Sequence, residues 1–184
     1  MTVANIEKNH EDLTMIVTAE FDAPVERVWQ LWENPRKLEH WWGPPTYPAT
    51  FVDFDLKPGG DVNYYMTSPE GERYHGWWQF TAINAPKTLE FKDGFSDDDG
   101  VRKAEMPTST VVVSLSERTS GGTVMTVTSQ WSSLDQMNQI MAMGMEQGMR
   151  GAMGQMDELL AQCVPVNNSI TAAHESDVGS MRSK

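Results

Sequence analysis

The sequence predicts an α+β domain in which a seven-stranded curved antiparallel sheet wraps around one long C-terminal helix, with an apolar cavity between them. Three observations predict it. Seven segments read as strands and are joined by short turns, which builds antiparallel meanders rather than crossover units. One amphipathic segment near the C-terminal end is long enough to cross such a sheet. A seven-stranded sheet also twists and curls, and a long amphipathic helix fits its concave side.

The elements follow in order. Met15, Val17, Ala19 and Phe21 alternate with Ile16, Thr18 and Glu20, a strand with one buried face. Asp22-Ala23-Pro24 then opens a helix. Proline suits the first helical position, where an N–H has no partner anyway, and Glu26 suits the positive end of the helix dipole. Val25, Val28, Trp29 and Trp32 form its apolar stripe. Asn34-Pro35 ends this helix, and a second short one over Arg36–Trp42 runs into Gly43-Pro44-Pro45. Six strands come next, over Phe51–Leu56, Val62–Thr67, Arg73–Ile83, Thr88–Phe91, Thr110–Glu117 and Thr123–Trp131. Lys57-Pro58-Gly59-Gly60 and Thr119-Ser120-Gly121-Gly122 are turn signals between neighbouring pairs. The long helix is expected from Ser133 to Gln162. Met137, Met141, Met145, Met149, Ala152, Met156, Leu159 and Leu160 share one face, and Glu146, Arg150, Asp157 and Glu158 share the other. The single domain is expected over 1–164. The polar stretch 165–184 has no apolar periodicity and reads as a disordered tail.

Composition narrows the function. Lys+Arg is 14 against Asp+Glu 26, a formal net charge of -12. So negative a surface repels phosphate backbones and anionic headgroups, which argues against nucleic acid and membrane partners. The single cysteine, Cys163, allows no internal disulfide. The N-terminal residues form no apolar signal core, and no run of about 18 apolar residues could span a bilayer. A cytoplasmic location is the expectation.

Several stretches carry a resemblance when taken together in their order and spacing. They are Phe21-Asp22-Ala23-Pro24-Val25-Glu26-Arg27-Val28-Trp29, Trp41-Trp42-Gly43-Pro44 and Asp55-Leu56-Lys57-Pro58-Gly59-Gly60. Pro86-Lys87-Thr88-Leu89-Glu90-Phe91, Gly122-Thr123-Val124-Met125-Thr126-Val127-Thr128 and Gly144 follow. Over about residues 13 to 162 the chain resembles the SRPBCC (START-like, helix-grip) superfamily. Within it, the chain is similar to the branch named after the C-terminal domain of the activator of the ninety-kilodalton heat-shock protein ATPase. Three positions depart from the usual pattern. Lys57 stands where the turn usually has arginine, Trp78 where a glycine is frequent, and methionines where the final helix often has leucine and tryptophan.

The candidate binding residues lie on the faces that should meet. By alternation Tyr64, Trp78, Phe80, Phe91 and Met125 point inward, with Val111, Val113 and Val127. Large rings with one hydroxyl suit a mostly apolar pocket with a polar anchor, or else a filled core. Met141, Met145 and Met149 face them from the helix, and methionine lets a pocket wall repack. Trp42 precedes a proline-rich loop and is placed at the pocket mouth, or as a cap on the sheet's open end. Gly144, Gly148 and Gly151 form a narrow strip that would allow a ligand, or Trp29 and Trp32, to approach the helix closely.

Metal and catalytic motifs are not apparent. His10, His40, His75 and His174 are scattered, and Asp97-Asp98-Asp99-Gly100 does not hold the register of a calcium loop. No nucleophile elbow or phosphate loop occurs, so no metal, cofactor or catalytic residue is expected. The resemblance implies binding of a small apolar or aromatic molecule between sheet and helix. Two alternatives stay open, a polyketide-cyclase-like enzyme working with Tyr64 and an activator-like co-chaperone. The few residues before the first predicted strand speak against the co-chaperone. A homodimer also stays open.

Overall fold

The structure, a computed structural model, describes residues 3–162. Cys163 and the tail expected over 165–184 lie outside the described residues. Eight strands form one antiparallel sheet in the order β1-β2-β8-β7-β6-β5-β4-β3. They are β1 (Val3–Asn9), β2 (Thr14–Phe21), β3 (Ala49–Phe54), β4 (Asp61–Thr67), β5 (Arg73–Asn84), β6 (Thr88–Phe95), β7 (Ser109–Glu117) and β8 (Thr123–Trp131). The helices are α1 (Val25–Glu33), α2 (Pro35–Leu38), α3 (Leu134–Ala142), α4 (Met145–Gly154) and α5 (Met156–Gln162). The architecture is the expected α+β helix-grip arrangement, with one strand more. Among the described residues, no helix is long and apolar enough to cross a membrane.

The additional strand is β1. It pairs with β2 from Val3↔Ala19 to Asn9↔Thr14 and forms one edge of the sheet. An edge strand gains stability from its backbone ladder, so two half-buried apolar side chains, Val3 and Ile6, suffice to anchor it. That pattern is too sparse to read as a strand from composition. Asn9 closes the hairpin, its side-chain oxygen accepting from the N–H groups of Glu11 and Asp12.

β6 runs four residues beyond the expected end at Phe91. Lys92-Asp93-Gly94-Phe95 looks like a turn, but β5 holds it along its whole length and β7 as far as Asp93. α1 follows the expected stripe, burying Val25, Val28, Trp29, Leu31 and Trp32. Pro24 sits one place earlier than expected, at the N-cap, with extended dihedrals. α2 is shorter than expected. Trp41 and Trp42 lie beyond its end in tight turns, both backbone N–H groups donating to the Leu38 carbonyl.

The C-terminal helical run spans 134–162 but is articulated. Ser133 caps its start by accepting from the Gln136 N–H at 3.2 Å. Gly144, at φ 87°, takes the left-handed conformation that separates α3 from α4. A second break at Gln155 separates α4 from α5, and there the Gln155 side chain donates to the Gly43 carbonyl at 2.7 Å. Met137, Ala152, Met153, Met156 and Leu160 are the buried positions, whereas Met141, Met145, Met149 and Leu159 are half-buried at the rim. Met153, next to Leu160 at the border of the expected face, joins the core. The glycine strip does not meet Trp29 or Trp32. A Cβ on Gly151 would sit 3.5 Å from Pro44 and Pro45, and Gly148 faces open space.

Candidate functional site

The concave face of the sheet is assembled by alternation from β4 to β8. Trp78 stacks on Phe91 with ring centroids 4.3 Å apart and planes at 25°. Trp42 meets Trp78 edge-on at 4.7 Å, and Tyr64 stacks on Phe51 at 5.2 Å. The Trp32 indole N–H donates to the Met125 sulfur at 3.3 Å. Offset and edge-to-face rings at such distances add attraction beyond the area they bury. Trp78, Phe80, Phe91 and Met125 are fully buried, and Trp42 and Tyr64 are 9% exposed. Over this region the expected apolar cavity is filled by the protein's own side chains, as close packing favours.

Space remains at the edge of that cluster, where β6 and β7 pass under the break between α3 and α4. It is a cleft of about 50 Å³ lined by Tyr64, Asp93, Gly94, Phe95, Pro107, Ser109, Trp131, Ile140 and Met145. Of the candidate residues, Tyr64 and Met145 line it directly, and Trp42 and Trp78 pack behind Tyr64. Phe80, Phe91 and Met125 lie in the core, and Met141 and Met149 pack against the core outside the cleft lining. Two larger depressions, of about 630 and 620 Å³, are open surface features with charged rims. In the second, Arg118 is already satisfied by Asp22 at 2.6 Å and Glu20 at 3.2 Å.

The polar groups set the small cleft apart. Asp93 lies opposite Trp78 on one side and Ser109 on the other. Burial pushes its carboxyl up to about 7, while the Trp78 and Tyr64 side chains and the Gly94 N–H act in the opposite sense. Burial, and then the Asp93 charge, hold the Tyr64 hydroxyl far above its ordinary range, so it stays neutral. The indole N–H groups of Trp42 and Trp78 are buried, and neither makes a hydrogen bond of good geometry among the described residues. Both nevertheless lie near enough to the Tyr64 hydroxyl to favour its charged form. A half-buried carboxyl pushed toward neutrality at the edge of an aromatic core is uncommon outside functional sites.

Backbone approach makes room for this arrangement. A Cβ on Gly76 would lie 2.6 Å from the Tyr64 ring, so glycine lets the ring lie flat against β5. On the convex face, a Cβ on Gly94 would lie 2.7 Å from the Trp77 indole. Trp77 covers Gly94 there and is itself covered by the Arg102 guanidinium at 3.8 Å. Asp93 was not among the candidate residues. Its signal was present, because it stands two residues after Phe91 and shares its face, but the polar run Lys92–Gly94 concealed the strand.

Comparison with known proteins places the chain. The family described as Activator of Hsp90 ATPase homolog 1-like protein matches residues 22–161. A solution structure from Arthrobacter aurescens is 45% identical, with a TM-score of 0.83, covering 94% of this chain and 100% of that one. A crystal structure of a Mycobacterium smegmatis protein is 41% identical, with a TM-score of 0.79, covering 94% and 99%. A Staphylococcus epidermidis structure is 27% identical, with a TM-score of 0.75, covering 87% and 95%. None of the curated proteins matched. With the helix-grip sheet, the articulated C-terminal helices and a family match across most of its length, this chain belongs to the Activator of Hsp90 ATPase homolog 1-like family of the SRPBCC superfamily.

Proposed function

We propose that this protein binds a small, largely apolar molecule whose polar head enters the cleft between the sheet and the α3–α4 break. The observation that supports it most is the cleft itself, where the polar groups of Tyr64, Asp93 and Ser109 share one small space with the apolar side chains of Ile140 and Met145. The surrounding rings and Met145 supply the apolar contacts such sites use. The superfamily fold generally binds hydrophobic ligands, which agrees with this reading. The cleft of about 50 Å³ takes a head group of a few heavy atoms, so the body of the ligand must lie along the Met145 and Ile140 side of the mouth.

Native mass spectrometry of the purified chain should detect a co-purified small molecule, and ligand-observed NMR with small aromatics should detect binding. Met145→Trp should fill the cleft and abolish that binding while costing about 1–3 kcal/mol of stability, the usual range for overpacking. Unchanged affinity in a folded Met145→Trp variant would place the site elsewhere. Catalysis is a second reading, and Asp93 favours it, because a carboxyl near neutrality can serve as general acid or base. Recovery of the bound molecule unchanged after prolonged incubation would count against it.

A further inference from the structure

The lining of the cleft narrows the class of its occupant, given the small-molecule reading above. Asp93 lines it together with two hydroxyl-bearing side chains, Tyr64 and Ser109. Among the described residues, no lysine, arginine or histidine lines the cleft, and no ion pair includes Asp93. The carboxyl thus sits in a confined space with no counter-ion. The rings of Tyr64, Phe95 and Trp131 stand around the same space, and ring faces attract cations, more strongly where water is excluded. A carboxylate or phosphate entering the cleft would confront Asp93 with no cation to receive it. A neutral head would leave the Asp93 charge uncompensated. A cation compensates it, and the fold has already drawn that carboxyl partly out of water. An ammonium also has three N–H donors, and the Asp93 carboxylate and the Tyr64 and Ser109 hydroxyl oxygens are acceptors. The formal net charge of -12 adds a long-range bias toward cations. We propose that the occupant of this cleft is a small primary amine, whose ammonium head pairs with Asp93 among the Tyr64, Phe95 and Trp131 rings while its apolar body lies along Ile140 and Met145.

A dependence on pH follows, and its sign is fixed by the charge of the ligand. An ammonium binds the ionised carboxylate, so its apparent affinity rises with pH until Asp93 is fully ionised. Tyr64, from β4, is the other titratable group in the lining, and it stays neutral. The remaining elements packed against Asp93 are β5, β7, β8, α3 and α4. They present Trp78, Ser109, Trp131, Ile140 and Met145, none of which carries a charge. With the Asp93 carboxyl at about 7, the ionised fraction should grow about tenfold between about pH 6 and about pH 8. A primary amine stays protonated over that range, so the response belongs to the protein.

Three probes of similar shape separate the possibilities: benzylamine with an ammonium, benzyl alcohol with a neutral hydroxyl, and benzoate with a carboxylate. Their dissociation constants would be measured on the full chain by titration at both pH values. The Met145 methyl resonance, assigned with Met145→Leu, would report occupancy of the cleft by NMR. At the higher pH benzylamine should bind at least about tenfold more tightly than benzyl alcohol, with benzoate weakest. Benzylamine should weaken about tenfold at the lower pH, while benzyl alcohol changes little. Asp93→Asn, which keeps the shape and removes the charge, should abolish both the preference for the amine and its pH response. Benzyl alcohol or benzoate binding as tightly as benzylamine would overturn the proposal, as would an amine affinity that is flat or falls with rising pH. Benzylamine binding that leaves the Met145 methyl unmoved would overturn it too. If benzyl alcohol shifts that methyl and Met145→Trp removes its binding, the small-molecule reading survives the failure of the amine. If no probe binds, both fall. Should Asp93→Asn fail to fold, the wild-type pH response and the probe ranking decide the matter.

Discussion

Replacing Asp93 with asparagine removes the carboxyl that titrates in the cleft while keeping its shape and a hydrogen-bonding amide. Folding raises that carboxyl from 3.8 to about 7, chiefly through burial. A carboxyl raised on folding holds its proton more tightly in the native state. Its contribution to stability is therefore fully present below the unfolded value and is lost as pH climbs through the folded one. At about 1.4 kcal/mol per unit, the full displacement corresponds to about 4 kcal/mol. Asp93 retains intermediate exposure, and solvent reaching it through the cleft lowers that cost, so about 2–4 kcal/mol is expected above about pH 8. Urea unfolding of the wild type and of Asp93→Asn, in steps from about pH 4 to about pH 8.5, measures it. The two should be nearly equally stable at the acid end. The variant should then gain steadily up to about pH 7, after which the gap should level off. Other carboxylates titrate in both proteins and cancel in the difference. A gap that stays constant with pH, or one that closes as pH rises, would refute this assignment, because it would mean that Asp93 is ionised and well partnered.

Three glycine substitutions test the elements that position the cleft. Gly148→Ala, on a helical position whose added Cβ meets nothing within 4 Å, should stabilise by about 0.5–1 kcal/mol. Gly144→Ala, at φ 87° and with only the Gln147 side-chain oxygen near the added Cβ, at 3.9 Å, should destabilise by about 1–2 kcal/mol through backbone strain. Thermal or denaturant unfolding reads both, and an equal response at the two glycines would contradict the break between α3 and α4. Gly76→Ala should cost about 1–3 kcal/mol, because its Cβ would press the Tyr64 ring against Phe51 and Trp78. In a Tyr64→Leu background the same change should cost much less, and a double-mutant cycle showing no coupling would refute that contact.

Much of the architecture was legible in local pattern. Alternation in Met15–Phe21, Val62–Thr67 and Thr123–Trp131, with Lys57–Gly60 and Thr119–Gly122 as turns, placed strands that the structure contains with small shifts at their ends. The family too was legible, because its motifs are local strings at fixed spacing. What alternation could not show depends on neighbours distant in sequence. β1 is a strand because β2 pairs with it, and Lys92–Phe95 is a strand because β5 pairs with it. The inward aromatic residues were predicted correctly as a face, yet whether that face encloses a cavity or fills one depends on how Trp42, Trp78 and Phe91 interlock. Asp93 shows the distinction most sharply. Its sequence neighbours are polar or small, and on an exposed turn it would be an ordinary surface carboxylate. The sequence by itself determined seven of the eight strands, the turns, the family and the inward face, because each is a pattern over nearby residues. Only the tertiary structure decided that Asp93 is desolvated in a cleft closed by Tyr64, Trp131 and Met145. Desolvation is a property of the atoms around a group, and those atoms come from β4, β5, β7 and the C-terminal helices.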